Sequence, residues 1–116
     1  MKLEARTNGP VVIVEVEGPL DSETGGAAEL LARLREILDG EASCLLLDVG
    51  QIPTADSLTL GAFVQAHVSA VRRGRTLKLL HVRPRLRELL RVTKLDRAIE
   101  LFDSEEAAVA SVVPHA

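Results

Sequence analysis

The chain predicts an α/β fold with the element order β-β-α-β-α-β-α-β-α. Three observations carry that prediction. Strand-like and helix-like hydrophobic patterns alternate along the whole length. Residues 43–49 (SCLLLDV) are continuously apolar, as a strand covered on both faces would be. Asn8-Gly9 separates two β-rich runs, the signature of a two-residue hairpin turn. The expectation is a four- to five-stranded mixed sheet with a leading β-hairpin and about four helices.

Each element has its own reason. Residues 3–7 alternate apolar and polar, a half-exposed strand that the hairpin places at an edge. Residues 11–17 (VVIVEVE) are rich in β-branched side chains and form its partner. Gly18-Pro19 ends that strand. Asp21, Ser22 or Thr24 caps a helix reaching Leu38, whose apolar stripe is Ala27, Leu30, Leu31, Leu34, Ile37 and Leu38. After the buried strand, residues 50–56 read as a loop broken by Pro53. A second helix runs from about Ser57 to Arg73, with Leu60, Val64, Val68 and Val71 as its expected spine and Gly74 as its stop. Residues 76–81 form a strand, and Pro84 suits the first turn of a third helix buried through Leu86, Leu89 and Leu90. Residues 99–102 read as a short last strand. Asp103 or Ser104 caps a terminal helix, and the tail after Val113 is expected to fray.

Composition narrows the function. The 116 residues are one domain's worth of chain, with 47% apolar and 27% charged side chains, which excludes wholesale disorder. A single cysteine, Cys44, excludes an internal disulfide and a multi-cysteine metal site; in its apolar run it reads as a small buried hydrophobe. No apolar run is long enough to cross a membrane, and residues 1–9 lack a leader pattern, so a cytoplasmic protein is expected. Only two Phe, and no Trp or Tyr, argue against a ring-stacking nucleic-acid surface.

The net charge of −3 hides an asymmetry: residues 72–97 hold ten of the fourteen Lys/Arg and two of the seventeen acids, a local +8 against −11 elsewhere. This reads as a solvated basic face near a helix C-terminus. Without a finger, homeodomain or RNP motif, direct DNA binding is not expected.

Catalytic motifs are missing. There is no glycine-rich phosphate cradle, no nucleophile elbow and no acid pair of the receiver-domain kind. His67, His81 and His115 are scattered without metal-ligand spacing. No catalytic residue, metal or cofactor is therefore expected. The right-handed crossovers of such a fold gather the loops 18–23 and 51–57 on one rim. There Asp56 or Ser57 can serve as a helix cap. The same geometry would favour a phosphate on Ser57, since helix N-termini attract anions.

The stretch LLLDVGQIPTADSLTLGAFVQA resembles the signature of STAS domains, the anti-sigma factor antagonist family, in which D-S-S-G-L-G opens a helix. Asp56, Ser57, Leu60 and Gly61 match. Upstream, VEGPLDSETGG is similar to the family's G-x-L-D turn through Gly18, Leu20 and Asp21. Downstream, residues 77–111 resemble its strand, third helix, T-x-L-D turn and terminal helix. The similarity spans nearly the whole chain, as a single STAS domain over 1–116.

The resemblance implies a switch rather than an enzyme. The unphosphorylated form would bind an anti-sigma factor that is also a serine kinase, and so release a sigma factor. That kinase would phosphorylate Ser57, and a serine phosphatase would reverse it. Asp21, Asp56, Ser57, Leu58 and Thr59 would form the partner-binding rim. The chain departs from the pattern at several positions: Leu58 replaces the second serine, Thr59 the first glycine, and the loop carries Pro53 and Thr54 where a bulky apolar residue is common. Thr54 and Thr59 stand as other candidate acceptors. Two further readings lack a phospho-switch: a STAS subunit docking on a transporter's ATPase, and a scaffold in a stress-sensing assembly. A monomer or weak dimer is expected.

Overall fold

The computed structural model describes residues 1–20, 26–53 and 56–112. The elements are β1 (Lys2–Asn8), β2 (Val11–Glu17), α1 (Gly26–Leu38), β3 (Cys44–Gln51), α2 (Ser57–Arg72), β4 (Thr76–Leu80), α3 (Pro84–Val92), a 3-10 turn (Leu95–Arg97), β5 (Leu101–Phe102) and α4 (Glu105–Val112). This is the order predicted from the sequence. The caps expected at Asp21, Ser22 or Thr24, and the tail 113–116, lie outside the described residues.

The five strands lie in the order β1-β2-β3-β4-β5. β1 and β2 are antiparallel, in register from Lys2 opposite Glu17 to Asn8 opposite Val11. The other pairings are parallel. Gly9 turns the hairpin with φ +60, a left-handed conformation that glycine enters without steric cost. The two-residue turn is Gly9-Pro10 rather than the expected Asn8-Gly9, because Asn8 already pairs with Val11; Pro10 lies inside the turn, where no ladder donor is needed. β1 is the sheet edge, and Lys2, Glu4 and Arg6 keep it charged, a feature that discourages edge-to-edge pairing.

Successive parallel crossovers of one hand, all moving in one direction across the sheet, put α1, α2 and α3 on the same face. The main core lies there, where Val14, Val16, Leu45, Leu47, Val49, Leu77 and Leu79 of the sheet meet Leu30, Leu34, Phe63, Leu86 and Leu90 of the helices. A smaller cluster lies on the opposite face, where Ala108, Val109 and Val112 of α4 cover Val11, Ile13, Cys44, Leu46 and Leu80. β3 thus feeds both faces, which is why its run is continuously apolar. α4 is tied to the edge strand by Glu105, which accepts from the two terminal guanidinium nitrogens of Arg6 and from Asn8 at 3.2 Å. Ser104 caps it, its hydroxyl accepting the Ala107 amide at 3.1 Å.

One helix face departs from the sequence prediction. The buried side of α2 is Thr59, Ala62, Phe63, Ala66, Ser69 and Ala70. The expected spine is rotated away from it: Leu60 and Val64 are half-buried, and Val68 and Val71 are exposed. Small side chains let α2 approach the sheet and α1 closely, and Phe63 is its one large buried side chain. The valines lie outside this tight contact. In α3, Leu86 and Leu90 are buried and Leu89 is half-buried.

Candidate functional site

The site is built where β3 leaves the sheet and α2 begins. Gly18, at φ +100, closes β2 beside it and donates its amide to the Gln51 carbonyl at 3.2 Å. That bond fixes the end of β2 against the end of β3. Leu20 then anchors the chain in the main core. Asp21 follows Leu20 directly in sequence, and its own placement lies outside the described residues, as does that of Thr54.

Asp56 is the helix cap. Its backbone is extended, and Oδ1 accepts the Thr59 amide at 2.9 Å and the Thr59 hydroxyl at 3.0 Å. These bonds, with a smaller one from the Leu58 amide, hold the Asp56 carboxyl below its ordinary range against a modest opposing desolvation. The sequence left the cap open between Asp56 and Ser57, and the geometry assigns it to Asp56.

Ser57 is therefore released from capping. It is the first residue of α2, it is exposed, and among the described residues its hydroxyl has no hydrogen-bond partner. It lines a depression of about 380 Å³ between α1 and α2, together with Ala27, Ala28 and Leu31 on one side and Leu58, Gly61, Ala62 and Gln65 on the other. Leu58 is 52% exposed, an apolar side chain presented beside the hydroxyl. Gly61 keeps the depression open: a Cβ there would meet nothing within 4 Å.

Thr59 does not face outward. It is buried at 1% exposure, and its hydroxyl is spent on Asp56. Contrary to the expectation from the resemblance, it is open neither to a partner nor to a kinase as a second acceptor. Asp56, Ser57 and Leu58 are brought together at the surface.

The basic segment is partly neutralised. Arg73 pairs with Asp39 at 2.7 Å, Arg87 with Asp103 at 3.1 Å and Arg91 with Glu88. Lys78 is buried, 2.7 Å from Glu100 and 5.2 Å above the Phe102 ring. Sequence reading missed a second polar pair. Asp48 Oδ1 accepts the Gly50 amide at 3.0 Å and lies 3.1 Å from His81 Nδ1, with His81 itself left-handed at φ 58. The signal was an acid inside an apolar strand run. Leu47 and Val49 point to the α1–α3 face, so Asp48 points to the α4 face, away from Ser57.

Among the described residues, no group of three or more His, Cys, Asp or Glu is placed to hold a metal ion, and no helix is long and apolar enough to cross a membrane.

Comparison with known proteins agrees with this fold. The family model for the STAS domain matches residues 2–108. The fold is similar to that of an anti-sigma factor antagonist from Mycobacterium paratuberculosis, with a TM-score of 0.82 at 18% identity over 96% of this chain and 92% of that one. It is also similar to the anti-sigma factor antagonist SpoIIAA in its unphosphorylated form, with a TM-score of 0.75 at 16% identity over 97% of this chain and 100% of that one. A sulfate transporter family protein from Wolinella succinogenes gives a TM-score of 0.71 at 25% identity over 88% of this chain and 84% of that one. Among curated proteins, none matches the chain in sequence. The two antagonists, at such low identity, speak for the fold alone.

Proposed function

The chain belongs to the STAS domain family, and from that premise we propose that it is a partner-switching anti-sigma factor antagonist whose binding is turned off by phosphate on Ser57. The observation that carries this reading is the division of labour at the α2 N-terminus. Asp56 does the capping, which leaves the Ser57 hydroxyl exposed and unpartnered among the described residues. A kinase can reach such a hydroxyl without unfolding the helix. The kinase itself would supply nucleotide and metal, so this chain needs neither.

The electrostatics support an off-switch. A phosphate adds about −1.5 to −2 charges at neutral pH. At Ser57 it would stand beside the Asp56 carboxylate and the exposed Leu58. An interface that buries Leu58 would have to desolvate that charge. A loss of about 3 kcal/mol corresponds to roughly a 150-fold weaker complex.

The partners in this reading are an anti-sigma factor serine kinase and a serine phosphatase, and the domain itself catalyses nothing. The similarity to a transporter-family protein favours a second reading, in which the domain docks on a transporter's ATPase and Ser57 is only a surface residue. The two separate on the affinities of S57A and S57D for the captured partner. The switch requires S57A to bind as tightly as the unmodified chain and S57D to bind at least tenfold more weakly. Equal affinity of both variants contradicts it.

A further inference from the structure

A second depression, of about 290 Å³, adjoins the loop that leads into Ser57. Its floor is apolar: Val49 at the end of β3, Ile52 and Pro53 of the loop, and Leu86 of α3. Arg83, Pro84 and Arg85 wall it where α3 begins. Val49, Ile52 and Leu86 are buried, whereas both arginines are exposed. Among the described residues, neither Arg83 nor Arg85 has an acidic partner, although Arg87 and Arg91 of the same helix are paired.

We propose that this depression is a docking subsite for an acidic segment of a protein partner, one large apolar side chain flanked by carboxylates. The cavity is at the small end for a drug-sized ligand and suits one or two inserted side chains. The apolar floor offers nothing to a bare anion. Two guanidinium groups at the mouth, without an acidic partner among the described residues, favour carboxylates and repel basic segments, and planar bidentate pairing with arginine adds orientation. Because the cavity is concave it does not suit a flat lipid surface, and no aromatic side chain lines it to stack a nucleobase.

The subsite extends the Ser57 rim and rests on that rim being partner-facing. Pro53 lies three residues before Asp56, so one partner can engage both places. The basic segment, +8 in a chain of net −3, then acts as a local docking surface and selects an acidic partner at this point of the rim.

The test is a titration of 15N-labelled protein with the acidic peptide acetyl-GDELFDEG-amide. The alanine peptide GDEAADEG, the basic peptide GKKLFKKG and anionic phosphatidylglycerol vesicles serve as comparisons. The subsite requires saturable shifts centred on the amides of Val49, Ile52, Arg85 and Leu86 with the first peptide alone. It also requires about tenfold weaker binding in R83E/R85E, whose remaining spectrum should be unchanged because both side chains are exposed. Absence of shifts up to about 5 mM peptide overturns the proposal. So do equal shifts from the alanine or basic peptide, shifts centred elsewhere, or binding to the vesicles alone. The outcome is independent of the switch: S57A and S57D should bind the peptide alike, so failure here leaves the Ser57 reading standing.

Discussion

The Asp56 carboxylate accepts both the amide and the hydroxyl of Thr59, at 2.9 and 3.0 Å. One acidic side chain therefore closes the start of α2 and draws Thr59 inward, while the two residues between them, Ser57 and Leu58, face solvent. This relationship separates the structural role at the rim from the regulatory one, and it sets the following expectations.

Phosphate on Ser57 should change binding and leave folding almost untouched. The hydroxyl is exposed, and the helix N-terminus favours an anion by about 0.3–1 kcal/mol, which offsets repulsion from Asp56. A chain carrying phosphoserine at position 57 should melt within about 4 °C of the unmodified one by calorimetry. A fall of 10 °C or more, on the order of 2 kcal/mol, would mean that phosphate acts by opening α2.

Replacement of the cap should do the opposite. D56A should lose about 1 kcal/mol of stability, and D56N, which keeps an acceptor oxygen, should lose less. The pH dependence has a definite sign. Thr59 holds the Asp56 carboxyl below its ordinary 3.8, so the ionised cap stabilises the fold above that value. The stabilisation is lost as pH falls through the depressed value. The difference between the unmodified chain and D56A in urea unfolding should therefore be full at pH 7 and shrink toward pH 3. A difference that stayed constant would show that Asp56 is not the titrating cap.

Gly61 is placed for the surface rather than for the fold. It sits inside a helix, where glycine costs about 1 kcal/mol relative to alanine, and nothing occupies the space of its missing Cβ. G61A should raise the melting temperature by about 4 °C. It should also weaken partner binding, because the added methyl narrows the depression next to Ser57 and Leu58. A variant that is more stable and binds equally well would remove this depression from the interface.

Lys78 should prove dispensable for stability. Its ammonium is almost fully buried against Glu100, whose carboxylate is largely exposed. K78M leaves Glu100 to water and should match the unmodified chain within about 1 kcal/mol or exceed it. E100A strands a buried ammonium and should cost more than K78M. Chemical denaturation of the two variants gives the order, and the reverse order would contradict this reading of the pair.

Much of the fold could be read from the chain because local and global signals agree. Val11–Glu17 was predicted to the residue and α2 begins at Ser57, about where it was expected, since β-branched runs and helix starts are marked by short-range chemistry. The burial of α2 was not, because it carries two helical stripes. Leu60, Val64, Val68 and Val71 are the more hydrophobic. Ala62, Phe63, Ala66 and Ala70 allow the closer approach, and packing against α1 and the sheet chose them. Hydrophobic periodicity ranks side chains by apolarity and not by the room a neighbour leaves. At the site, the D-S pair was visible but its division of labour was not, since either residue can cap a helix. Thr59 was placed on the rim through the resemblance, at the position of the pattern's first glycine, and the 100° step between successive helix positions turns it inward. The subsite at Arg83 and Arg85 had no sequence signal beyond a run of positive charge.

The most direct test of the switch is capture from host lysate on the unmodified chain and on S57A, with phosphosite mapping of the recovered unmodified chain. The switch predicts that S57A retains a serine kinase and that phosphate appears on Ser57. Retention of a transport ATPase by both baits, with Ser57 unmodified, would contradict it and leave Ser57 as an ordinary first-turn residue.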